Sequence, residues 1–80
     1  MKDEMGWRVV VRDDDVTTVH LVAYVLHLVC ELPLPAAVDL MWQVHTRGEA
    51  EVDRFAGRHE AERLVARLQG YGLHGMVRAA

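Results

Sequence analysis

The sequence predicts an α+β fold: a two-layer domain in the order β-α-α-β-α-β, with helices packed on one face of a small three-stranded antiparallel sheet. Three observations carry the prediction. Three short runs alternate apolar and polar residues at strand period. Three longer runs space their apolar residues at helical period. Acidic, proline and glycine residues punctuate the junctions between them. The length agrees, since 80 residues allow one small domain, which buries roughly 60–65% of the surface its unfolded chain exposes.

The first strand is Trp7–Arg12, with Trp7, Val9 and Val11 on one face and Arg8, Val10 and Arg12 on the other. Asp13, Asp14 and Asp15 stop it, because adjacent carboxylates suit turns and helix N-caps. Val16–Leu32 is the first helix. Its polar residues His20, Tyr24, His27 and Glu31 form one narrow stripe, so an apolar helix must cover two flanks. Pro33 and Pro35 separate it from a second helix over Pro35–Thr46, with Ala37, Leu40, Met41 and Val44 on one face. Gly48 is a C-terminal stop. Ala50–Phe55 is the second strand, and the out-of-phase Phe55 predicts that the strand ends or bulges near Arg54. Arg58–Tyr71 is the third helix, carried by Ala61, Leu64, Val65 and Leu68 and closed by Gly70 and Gly72. Leu73–Arg78 is the last strand. Residues 1–6 read as a short N-terminal extension and 7–80 as one domain.

Composition excludes several classes. The chain is 51% hydrophobic and 26% charged, the balance of a folded protein. A net charge of -3 does not provide the basic footprint that nucleic acid requires. Met1–Gly6 lacks the apolar core of a signal peptide. Leu21–Cys30 is far shorter than the roughly 20 apolar residues of a membrane span. The lone Cys30 cannot form an internal disulfide, which fits a reducing cytoplasm.

Three constellations could carry chemistry. The Asp13–Asp15 run is either a turn with a helix cap or a site for a cation such as an ammonium group. His45, in Val44-His45-Thr46-Arg47-Gly48, either sits on the helix C-terminal dipole or accepts a hydrogen bond through a neutral ring nitrogen. His20 and His27 are two helical turns apart, about 10 Å, too far for one metal. His27 and Glu31 lie one turn apart, but two ligands do not make a structural zinc site. No nucleophile elbow, phosphate loop or base beside Cys30 is present, so no enzyme is expected, and no cofactor.

Trp7–Arg12 with Asp13-Asp14-Asp15, and Met41, Val44, His45 and Gly48 in the pattern Met-x-x-Val-His-x-x-Gly, together resemble the Clp protease adaptor family, ClpS. Val65-Ala66-Arg67-Leu68 followed by Gly72-Leu73 looks like its actinobacterial branch. The resemblance extends from Trp7 to Val77. It implies the same β-α-α-β-α-β fold, also found in the C-terminal domain of the ribosomal stalk protein. It implies an adaptor that binds proteins whose first residue is bulky and apolar, and hands them to the N-domain of a ClpC- or ClpA-type AAA+ unfoldase. Asp13, Asp14 and His45 would hold the α-amino group. Thr17, Val19, Val22, Met41, Val44 and Leu73 would line the side-chain pocket, with Asp15 at its rim. Glu60, Glu62 and Arg63 would face the unfoldase.

The chain departs from the family pattern in places. Asp13 stands where the best-known members hold Asn, and Val19 where they hold a gatekeeping Met. A wider or shallower pocket is expected. The turn reads Val16-Thr17-Thr18, six residues precede the first strand, and Gly57–Arg63 carries one extra residue. These departures keep a second expectation open: a domain that docks on the unfoldase and modulates it without carrying such substrates. A third is a generic partner-binding or dimerising module using the first helix.

Overall fold

The computed structural model describes residues 6–14 and 18–80. The chain runs β1 (Trp7–Arg12), α1 (Val19–Val29), α2 (Leu34–Arg47), β2 (Glu49–Phe55), α3 (Arg58–Gly70) and β3 (His74–Ala79). β1 is the central strand of an antiparallel sheet ordered β2-β1-β3. The predicted α+β class and element order hold.

The core lies between the helices and one face of the sheet. Val9, Val11, Val25, Leu26, Ala37, Ala61 and Leu68 are fully buried in it. Trp7 and Phe55 pack against its edge. The predicted bulge exists but lies earlier than Arg54. Val9 pairs with Asp53 and Val10 with Glu51, so Val52 is the extra residue. Ala50 and Val52 therefore both face the core, and beyond Val52 the phase flips to bring Phe55 inward and Arg54 outward.

α1 is shorter at both ends than Val16–Leu32. Its N-cap is Thr18, whose hydroxyl oxygen accepts from the Leu21 N–H at 3.2 Å. Asp13 and Asp14 do not cap the helix. At the other end Cys30 is the C-cap, and Glu31 takes φ +56°, a left-handed turn that leads the chain into Pro33. His27 Nδ1 donates to the Leu32 carbonyl at 2.7 Å and braces that turn. Only one flank of α1 is covered, by Val22, Ala23, Val25, Leu26 and Val29. Among the described residues the second apolar flank remains open, with Leu21 and Leu28 exposed beside Tyr24 of the polar stripe.

The outer face of the sheet is charged. Arg54, Arg8 and Arg78 occupy neighbouring strands at one level. Like charges directly opposite one another repel. Glu51 offsets this by reaching Arg54 at 3.1 Å and Arg8 at 3.8 Å. Glu49 meets Arg78 in a two-pronged pair at 2.6 and 2.9 Å. That pair joins the two edge strands diagonally across β1. Val10 lies on the same face and is buried, although it is no part of the core cluster. Long arginine stems on the neighbouring strands are suited to covering such an outward valine.

Candidate functional site

The two sequence motifs meet through one glycine. α2 ends at Gly48, whose φ of +90° suits a residue without a side chain. The Gly48 N–H donates to the Val44 carbonyl at 3.0 Å, closing the helix. Its own carbonyl accepts the Asp13 N–H at 2.8 Å. The acidic turn is thereby tied to the end of the helix that carries His45.

The polar side chains at this edge have distinct settings. Asp13 is exposed. The Asp14 side chain is only 15% exposed, and His74 Nε2 lies 3.0 Å from its carboxylate. His45 is exposed and meets the Trp42 ring edge to face, with centroids 5.9 Å apart. The arrangement can present carboxylate and imidazole acceptors to a cation. Asp15 and Thr17 lie outside the described residues.

The described apolar candidates are core residues. Val22, Met41, Val44 and Leu73 expose 7% or less and belong to the core cluster. Val19 is half-buried and packs against it. Met41 and Val44 are one helical turn apart on the inner face of α2, which is why His45 points outward. Leu73 follows Gly72, another left-handed residue at φ +92°, and its N–H donates to the Leu68 carbonyl at 3.1 Å.

At the far end of α1 lies a cavity of about 330 Å³ lined by Val29, Cys30, Asp53, Phe55, Glu60, Arg63, Leu64 and Arg67 among others. Burial pushes the Cys30 thiol up from 9.0 to about 11; the Asp53 charge adds to the rise and Arg67 opposes it. Such a thiol is a poor nucleophile. Glu60 and Arg63 therefore line this cavity, whereas Glu62 pairs with Arg58 at 2.9 Å. The Arg58 guanidinium stands 5.2 Å over the Trp7 ring. Among the described residues no three His, Cys, Asp or Glu side chains gather to hold a metal. Nor is any described helix long and apolar enough to cross a membrane.

Sequence reasoning missed His74. It belongs to no motif, and only the pairing of Arg12 with His74 across β1 and β3 brings it to the acidic turn.

The comparisons with known proteins fit this geometry. The family described as ATP-dependent Clp protease adaptor protein ClpS matches residues 2–75. An ATP-dependent Clp protease adapter protein ClpS of Corynebacterium aurimucosum is 35% identical over 78 residues, 98% of this chain and 69% of the relative. The protein of the same description from Rhodococcus opacus is 36% identical over 71 residues, 89% of this chain and 62% of the relative. The chain thus spans about two thirds of the length of these relatives. The structure of Agrobacterium tumefaciens ClpS2 bound to L-phenylalaninamide superposes with a TM-score of 0.81 at 20% identity, covering 96% of this chain and 99% of that one. That likeness is one of fold. The family is one of adaptors and not of enzymes. From its motifs, its fold and these matches, the chain belongs to the ClpS family of Clp protease adaptors.

Proposed function

We propose that this chain binds the free N-terminus of proteins whose first residue is bulky and apolar, and delivers them to the N-domain of a ClpC- or ClpA-type AAA+ unfoldase for proteolysis. The observation that carries the reading is the 2.8 Å bond from the Asp13 N–H to the Gly48 carbonyl. It holds the acidic turn against the helix end that bears His45. A free α-amino group is a cation with three donors. Asp13 and Asp14 supply charged acceptors, and a neutral His45 ring supplies a further one. Val19, Val22, Met41, Val44 and Leu73 are the apolar wall for the first side chain, with Thr17 beside them and Asp15 at the rim. Opening that wall is part of binding. L-Phenylalaninamide, the ligand of the Agrobacterium relative, has a free α-amino group and an amide in place of its carboxylate, the chemistry of a chain's first residue. Glu60, Glu62 and Arg63 face the unfoldase in this reading, and the cytoplasm is the compartment where it operates. Neither nucleic acid, membrane nor cofactor takes part.

One observation favours a second reading. Val22, Met41, Val44 and Leu73 are all buried. A domain that docks on the unfoldase without carrying substrate has no need to open that wall.

Two peptides that begin with Leu, identical except for an acetylated amino terminus, separate the readings. The adaptor binds the free peptide and not the acetylated one. Binding to neither, with retained binding to the unfoldase N-domain, assigns the modulator. His45→Ala should weaken the free peptide at least tenfold, because a charged-group hydrogen bond is lost, with the unfolding midpoint unchanged. Affinity should also fall as the pH drops through the range in which imidazole gains a proton, since a protonated ring cannot accept.

A further inference from the structure

His74 opens β3 opposite Arg12 of β1. Its Nε2 lies 3.0 Å from an Asp14 carboxylate oxygen, and its side chain is 65% exposed. A carboxylate only accepts, so Nε2 carries a hydrogen, and in the neutral ring Nδ1 is left as an acceptor. The ring holds Asp14 from the β3 side and presents the rest of its surface to solvent.

We infer that His74 is a specificity-determining residue: it positions the Asp14 carboxylate and reads the charge of the substrate's second side chain. The inference rests on the adaptor reading above. An α-amino group held by Asp14 lies about 2.8 Å from that carboxylate. The second Cα follows the first by about 3.8 Å. The second residue therefore lies within reach of the His74 ring, which touches Asp14 from the β3 side.

The charges around His74 set the sign. Asp14 faces it from the turn, next in sequence to Asp13, and Arg12 pairs with it from β1. Glu49 of β2, across β1 from His74, is engaged by Arg78. The acidic turn by itself repels an acidic second residue. A protonated His74 offsets that repulsion and adds a donor at Nδ1 for a carboxylate. A neutral one does neither. Acidic second residues should thus gain relative to basic ones as the pH falls.

The test uses the full chain and three peptides with free amino termini, beginning Leu-Asp, Leu-Ala and Leu-Lys and otherwise identical. Affinities are measured at pH 8 and pH 5.5 at constant ionic strength. In the wild type, the affinity of the Leu-Asp peptide relative to Leu-Lys should rise about threefold from pH 8 to 5.5, the scale of one exposed ion pair. His45 is present in every protein compared, so the variants carry the decision. His74→Gln retains an N–H for Asp14 and cannot be charged, so its ratio should rise clearly less than that of the wild type. His74→Arg is charged throughout and should show the raised ratio at both pH values. The same pH-dependent rise in His74→Gln as in the wild type overturns this inference alone. No binding of any of the three peptides overturns it together with the adaptor reading.

Discussion

The two ends of α1 are built in opposite ways. At its start, the Asp13 N–H is bonded to the Gly48 carbonyl at the end of α2, His74 reaches Asp14, and the candidate apolar side chains are almost wholly buried. At its end, eleven residues and about 16 Å of helix away, Cys30 and Asp53 sit at an open cavity lined by charges of both signs. The motif end has its acidic turn bonded to the end of α2 and its candidate apolar residues in the core. The cavity end has the space, and neither sequence motif reaches it. The difference shows that a backbone bond joins the two motifs at the end of α1 that lacks the cavity.

The largest expected effects test how closed each end is. Leu68 is fully buried, whereas Leu64, one turn earlier on α3, lines the cavity. Leu68→Ala should cost about 2–5 kcal/mol in urea unfolding, with Leu64→Ala at the low end of that range, because space beside it already admits relaxation. Equal costs would break the comparison. The next effect is chemical. With its thiol near 11, Cys30 carries roughly a hundredfold less thiolate at pH 8 than it would at its ordinary 9.0. Alkylation of the native protein should be slower by about that factor than after denaturation. The same shift has a stability consequence. Between pH 9 and about 11 the unfolded chain ionises this thiol and the folded chain does not, so stability is full below pH 9 and declines across that window.

Smaller effects sharpen the picture of the motif end. Gly48 has open space around it but a φ of +90°. Gly48→Ala should therefore destabilise by about 1–2 kcal/mol through backbone strain alone. Gly70 is equally open and has no positive φ, so Gly70→Ala should be neutral or slightly stabilising. A cost at Gly70 like that at Gly48 would mean that strain is not the cause. The smallest effect lies on the outer sheet. The Arg78 hydrogen bonds hold the Glu49 carboxyl below the usual carboxylate range. A lowered carboxyl contributes stability above its unfolded pKa and loses it as pH falls through the folded one. Glu49→Gln should therefore lower stability slightly at neutral pH and leave it almost unmoved at the acid end, which flattens the acid limb.

Much of the fold was legible because its signals are local. Alternation in Trp7–Arg12 marks a strand whatever surrounds it. Pro33, Pro35 and Gly48 punctuate through their own backbone preferences. The ends of α1 were less legible. Three aspartates and Thr18 are all good caps, and which one caps depends on where the chain leaves the sheet. The bulge was legible from the phase of Phe55, but its position at Val52 depends on the register with β1. At the candidate site, Asp13, Asp14, His45, Met41 and Val44 were legible as motif residues. His74 was not, because nothing near it in the chain marks it.

The sequence by itself determined the order of elements, their apolar faces and the spacing of the two motifs, since each follows from periodicity and backbone preference over a few residues. The tertiary structure alone decided which distant groups meet. Sheet pairing puts His74 on Asp14, carries Arg78 across Val10 to Glu49, and closes Leu73 with Met41 and Val44 into one wall. Those outcomes depend on strand register, where a shift of a single residue turns every side chain to the other face.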